Sequence, residues 1–156
     1  MVNRISILIL LIAGVTTTSI YAQYNTGDTQ LNASLIKIDD DAKLNFSVFK
    51  SDLSVTYNVS ERKIESWSVE FGMKAGDIYL ALEIGKIAKK PIDEVIKVYQ
   101  ANKTKGWGVI AKQLGIKPGS PEFHALKNST DSKVKKGKRD KSNPNPKAGK
   151  GKPKGK

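Results

Sequence analysis

The sequence predicts an all-α protein: a compact domain of five to seven short helices with orthogonal, helix-turn-helix-like packing, followed by a disordered basic tail. Apolar residues recur at intervals of three and four along most of the chain between residues 42 and 126, which is the period of a helix with one buried face. Serine, aspartate, proline and glycine interrupt this pattern often, which indicates short helices rather than a long bundle.

The first 22 residues have the features of a cleaved export signal. Arg4 gives a positive start, an apolar run covers residues 5–15, and Ser19 and Ala22 place small side chains three apart before Gln23. The run has about half of the roughly 20 residues that a membrane-spanning helix needs, so cleavage is favoured over retention as an anchor. We therefore expect an exported protein, periplasmic or secreted, with no stable membrane span after signal cleavage.

Residues 23–127 form the predicted helical domain, and residues 23–41 are expected to be loosely structured around a short helix from Thr29 to Ile38. Residues 42–59 fit either a helix or a strand. Spacings of four, three, four and four favour a helix that begins between Asp41 and Ser47 and includes Ala42, Phe46, Phe49, Leu53 and Tyr57. The competing strand has alternating apolar residues, namely Leu53, Val55, Tyr57 and Val59.

Capping residues predict the helices that follow. Ser60 is expected to cap a helix from Glu61 to Phe71, and Asp77 is expected to cap one from Ile78 to Lys89. Pro91 begins another helix, with acidic residues in its first turn. The predicted close-packing face of the second of these helices consists of Ile78, Leu82, Gly85 and Ala88.

The segment from Trp107 to Leu126 is the clearest helical unit. Gly115 is placed to end the first helix in the left-handed conformation, and Pro118 confirms the stop. Ser120 and Pro121 then begin a short helix.

The predicted tail, residues 128–156, is rich in lysine, glycine and proline and holds nine of the twelve net positive charges, since ten lysines and one arginine face two aspartates. Such a composition cannot bury enough apolar surface to offset the entropy of ordering, so we expect disorder. Its basic residues are the predicted contacts to an anionic polymer: Lys133, Lys135, Lys136, Lys138, Arg139, Lys141, Lys147, Lys150, Lys152, Lys154 and Lys156.

The composition excludes several kinds of chemistry. The chain has no cysteine and one histidine, so thiol catalysis, thiolate metal sites and a histidine-rich zinc site within one chain are excluded. Asp39, Asp40 and Asp41 lack the alternating ligands of a helix-loop-helix calcium site, and a solvated helix start is the favoured interpretation. We expect no cofactor, no metal and no catalytic residue.

Two segments have the spacing of a helix-turn-helix, one around Asn58 and one around Gly115. The second has prolines where its next helix should continue. In the first, Arg62 and Lys63 share the second helix with three glutamates, which weakens the case for DNA reading. Nucleic-acid binding by these elements together with the tail is therefore the alternative function.

Trp107 and His124 are the two candidate contact residues inside the domain. Gly106 and Gly108 bracket Trp107 and allow a ligand or another backbone to come close, but a tryptophan at a helix start more often closes a core, here by covering Tyr99 or Phe123. His124 is expected to be a partly buried hydrogen-bonding group rather than a catalytic base, which would need a carboxylate partner.

The segment GWGVIAKQLGIKPGSPEFHALK, residues 106–127, resembles a segment of uncharacterised exported bacterial proteins, many of which end in a Gly/Lys-rich tail. The resemblance extends upstream through residues 77–79 and 90–91 to residues 53–55. It implies a bacterial envelope or secreted setting and brings no activity or catalytic residue with it.

Together these observations predict a non-catalytic exported interaction module. Its helical domain packs against an envelope protein partner or against itself, and its cationic tail adheres to an anionic envelope polymer or to extracellular nucleic acid.

Overall fold

A computed structural model of the chain describes residues 24–142 and the side chains of residues 24–139. Residues 24–142 form seven α-helices and no strand, so the predicted all-α class is confirmed. The helices are α1 (Thr29–Leu44), α2 (Phe46–Tyr57), α3 (Glu61–Phe71), α4 (Ala75–Ala88), α5 (Ile92–Asn102), α6 (Trp107–Gln113) and α7 (Pro121–Ser142), with a short 3-10 helix at Lys103–Lys105. None of the helices in this range is both long and apolar enough to cross a membrane. The predicted export signal lies outside the described residues.

Helix α4 is the centre of the fold. Every residue from Ala75 to Gly85 is buried, because α1, α3, α5 and α7 all pack against this helix. A helix whose sequence is mostly apolar all round is expected to be enclosed in this way. Gly85 lets α5 come close, since a Cβ atom there would lie 3.2 Å from the Lys90 carbonyl oxygen and 3.5 Å from Val95.

Residues 42–59 are helical, as the favoured interpretation predicted. Helix α2 begins after Asn45, whose side chain accepts a hydrogen bond from the Val48 amide at 3.1 Å. Leu53 is 1% exposed and Val55 is 84% exposed, although a strand would place both on one face. The strand interpretation is therefore wrong.

Two further predicted helix boundaries are confirmed by their hydrogen bonds. The Ser60 hydroxyl caps α3 by accepting from the Lys63 amide at 3.3 Å. Gly115 follows α6 with φ +96°, and the Ile116 amide donates to the Ala111 carbonyl at 2.8 Å. That bond belongs to the Schellman motif, which needs a left-handed residue after the helix.

The prediction that residues 23–41 are loosely structured is wrong where the structure describes them. Helix α1 begins at its cap Asp28 and continues for 16 residues, and it buries Leu31, Leu35, Ile38 and Ala42 against the rest of the protein. The burial of one side chain per helical turn holds this helix firmly. The predicted solvated helix start at Asp39–Asp41 is wrong for the same reason, since these residues lie inside α1.

Asp77 was predicted to cap a helix that begins at Ile78, but it lies inside the first turn of α4. Helix α4 begins at Ala75 instead of Ile78, and the Asp77 carboxylate reaches back to accept from the Lys74 amide at 3.0 Å. A carboxylate in the first turn can satisfy a free amide in this way, so Asp77 still serves the helix start.

The predicted domain boundary at residue 128 is also wrong. Helix α7 continues through residue 142, and Thr130 and Val134 are buried against the domain. Asp131 accepts hydrogen bonds from Gln30 and Ser34 of α1, both at 2.7 Å. The first half of the predicted tail is therefore part of the folded domain, and residues 143–156 lie outside the described residues.

We predict that Gly115→Val lowers the free energy of unfolding by about 1 to 3 kcal/mol, because a branched side chain disfavours a positive φ. A Cβ atom at this position would meet no other atom within 4 Å, so the cost comes from the backbone alone. Denaturant unfolding measures it. Lys117→Val, a nearby exposed position, is the control, and equal stabilities of the two variants would contradict the assignment.

Candidate functional site

The second half of α7 has a cationic face. Lys135, Lys138 and Arg139 are exposed, and the last two lie three and four residues after Lys135, so the three side chains point to one side of the helix. Thr130 and Val134 of α7 are buried, and Val134 lies one helical turn before Lys138. Their packing onto the domain holds the helix and therefore fixes the direction in which the cationic side chains point.

Two other basic residues of α7 are directed at the domain. Lys133 and Lys136 both form ion pairs with Asp52 of α2, the latter at 3.0 Å. The Lys133 ammonium also lies 5.7 Å from the centre of the Phe49 ring. We call this arrangement, formed by Asp52, Lys133 and Lys136, the Asp52 clasp.

The pKa of Asp52 reflects the clasp. Partial burial raises the pKa of this carboxyl, but the hydrogen bonds and charges of Lys133 and Lys136 outweigh burial, so its pKa lies below the ordinary value. Asp52 therefore stays ionised at neutral pH and partly neutralises two of the basic residues predicted to contact a polymer. Lys133 and Lys136 of the predicted set therefore contact the domain through Asp52, and Lys136 is also exposed.

The other predicted contacts of the tail are only partly described. Lys141 lies in α7, but its side chain is outside the described range, as are the five lysines from residue 147 to residue 156. Lys135, Lys136, Lys138 and Arg139 are thus the predicted contacts that the structure places on an exposed surface, and Lys136 among them also pairs with Asp52.

Trp107 closes the core, as predicted. Its ring centre lies 5.0 Å from that of Tyr99, and the residue is 4% exposed. The indole Nε1–H donates to the Asp77 carboxylate at 2.7 Å inside the protein. Burial raises the pKa of Asp77, while the bonds from Trp107 and the Lys74 amide oppose this rise.

The two glycines around Trp107 admit a backbone segment of this same chain. A Cβ atom on Gly106 would lie 2.8 Å from the Asn25 carbonyl oxygen, and one on Gly108 would lie 3.0 Å from the Thr26 carbonyl oxygen. The Gly108 amide also donates to the Asn25 carbonyl at 2.8 Å. These glycines therefore serve packing of the segment before α1.

His124 is exposed on the first turn of α7, so the expectation of a partly buried histidine is wrong. Its neighbours on the buried side of the helix are Phe123 and Leu126, which take the positions that face the domain. Among the described residues, no side-chain hydrogen bond or ion pair involves the imidazole. No group of three histidine, aspartate or glutamate side chains in the described part of the chain could hold a metal ion.

The helix pair α2–α3, the better of the two helix-turn-helix candidates, has a mixed surface on its second helix. Lys63 forms an ion pair with Asp93 at 2.6 Å, and Glu65 pairs with Lys50 at 2.7 Å. Arg62 is exposed, but so is Glu61. A phosphate backbone would meet both signs of charge on this helix.

We predict that Trp107→Ala lowers the free energy of unfolding by about 3 to 5 kcal/mol, since it leaves a cavity beside Tyr99 and removes a donor from Asp77. Denaturant unfolding tests this prediction. The control is Val109→Ala in the same helix, where the side chain is 45% exposed and the loss should be below about 1 kcal/mol. Undiminished stability of Trp107→Ala would show that the indole has no structural role.

Comparisons of the chain with protein-family models, with curated proteins and with solved structures found no match. The resemblance of residues 106–127 to exported bacterial proteins therefore stays a prediction.

Proposed function

We propose that this protein is a non-catalytic exported interaction module whose helical domain presents the cationic face of α7 and the Lys/Gly/Pro-rich segment after it to anionic polymers. The observation that carries the proposal is the exposure of Lys135, Lys138 and Arg139 on a helix that the buried Thr130 and Val134 anchor to the domain. The partners are phosphate- or carboxylate-bearing envelope polymers or extracellular nucleic acid.

The charge distribution supports this division of roles. Residues 23–127 contain fifteen basic and thirteen acidic residues, whereas residues 128–156 contain eleven basic and two acidic ones. A nearly neutral domain with a strongly positive end attracts polyanions at that end, and it does so with little selectivity and strong dependence on salt.

The anchoring of α7 holds its cationic side chains in fixed positions relative to the domain. The side chains that hold the helix, Thr130 and Val134, are followed within two turns by the three exposed cations. Cations on a helix keep a fixed spacing, so fewer degrees of freedom are lost on binding than in an extended chain. Extracellular nucleic acid would be bound through its phosphates, because base reading requires side chains in a groove.

Variants of the full chain that replace basic residues by neutral glutamine test the proposal. We predict that Lys135→Gln/Lys138→Gln/Arg139→Gln elutes from heparin at lower salt, and that the slope of its log affinity for DNA against log salt falls by about one per residue removed. The matched control, Lys37→Gln/Lys97→Gln/Lys112→Gln, removes three exposed charges from α1, α5 and α6.

A second, independent variant disrupts the Asp52 clasp. Asp52→Asn removes the counter-charge of Lys133 and Lys136, so we expect tighter retention on heparin than for the unaltered chain. If the α7 triple variant and the control triple variant lost heparin retention equally, the proposed location of the polymer site would be refuted.

A further inference from the structure

A cleft of about 380 Å³ opens on a different part of the domain from α7. It lies between the first turn of α4, the end of α5, the 3-10 helix and the first turn of α6, and Tyr24 of the segment before α1 also lines it. This volume is in the range of small-molecule sites, which combine apolar walls with a few polar groups.

Part of the cleft wall is aromatic. Tyr24, Tyr99 and Trp107 line it together with Ile110, and the three aromatic residues are 6%, 4% and 4% exposed. The Tyr24 hydroxyl donates to Asp39 at 2.8 Å, and the Trp107 indole donates to Asp77 at 2.7 Å. These bonds hold two of the rings in place.

The Tyr99 hydroxyl is the exception. Within the described residues it has no hydrogen-bond partner, although the side chain is almost completely buried and lines the cleft. Burial and the charge of Asp77 both raise the pKa of this phenol, so it stays protonated and can donate. No fully enclosed side-chain polar atom of the described residues lacks a partner, so the Tyr99 hydroxyl is accessible through the cleft, where it can donate to a ligand atom.

Two ammonium groups also line the cleft. The Lys103 side chain is held by a hydrogen bond of 2.9 Å to the Phe71 carbonyl, and the Lys74 ammonium lies 5.7 Å from the centre of the Tyr24 ring. Both residues are exposed and line the cleft. The negative Asp77 is deeper and already accepts two hydrogen bonds.

From this arrangement we propose that the cleft binds a small anion, a carboxylate or phosphate carried on a planar apolar ring. The anionic group lies at the mouth between Lys74 and Lys103, and the ring lies against the aromatic walls beside Tyr99. Asp77 disfavours a second negative group at depth, so the ligand carries its charge at one end. This site is independent of the polymer surface on α7.

Phenyl phosphate and benzoate are the probes, and the amide spectrum of the full chain is the readout. We expect either probe to shift the Trp107 indole N–H and the Lys103 amide in a saturable way, with a Kd below about 1 mM. Benzyl alcohol, which has the ring without the charge, and inorganic phosphate, which has the charge without the ring, should bind at least tenfold more weakly.

Two variants locate the site. Lys74→Gln/Lys103→Gln should weaken phenyl phosphate binding at least tenfold, and Tyr99→Phe should weaken it severalfold while keeping the ring. Lys37→Gln/Lys97→Gln, an equal loss of two charges at exposed positions of α1 and α5, should leave binding unchanged. The proposal is overturned if neither probe saturates, if inorganic phosphate binds as tightly as phenyl phosphate, or if this control weakens binding as much as the Lys74/Lys103 double variant does.

Discussion

The burial of α4 is the constraint on which the rest of the structure depends. This helix carries two carboxylates into the interior, Asp77 and Glu83, and a buried carboxylate is costly unless it is hydrogen-bonded. Glu83 accepts from the Tyr57 hydroxyl at the end of α2, and Asp77 accepts from the Trp107 indole at the start of α6. Each carboxylate therefore determines where another helix lies.

The same requirement fixes the N-terminal part of the domain. Asp39 of α1 accepts from the Gly76 amide of α4 and from the Tyr24 hydroxyl, both at 2.8 Å, so one side chain joins α1, α4 and the segment before α1. The glycines beside Trp107 then admit that segment at the start of α6. These contacts leave a cleft beside Trp107, and α7 packs along α1.

Local sequence signals such as capping residues predicted the helices. The features that the sequence did not predict, the Asp52–Lys133 pair and the ordered α7, depend on contacts between residues far apart in the chain. Ser60 and Gly115 act through bonds to residues within a few positions, so their roles follow from spacing alone. Asp52 pairs with Lys133, which is 81 residues away, and no local pattern indicates such a partner. In α7, Val134 is an isolated apolar residue among lysines, so composition suggested disorder, although packing of α7 against the domain buries this side chain.

A double-mutant cycle between Asp77 and Trp107 tests most directly the claim that buried carboxylates of α4 position their neighbouring helices. Asp77→Ala, Trp107→Phe and the combined variant are compared by denaturant unfolding, and the cycle cancels the separate loss of the Asp77 bond to the Lys74 amide. The account predicts a coupling energy of about 1.5 to 3 kcal/mol, as for a buried hydrogen bond to a charged group. Additive effects within about 0.5 kcal/mol would contradict it.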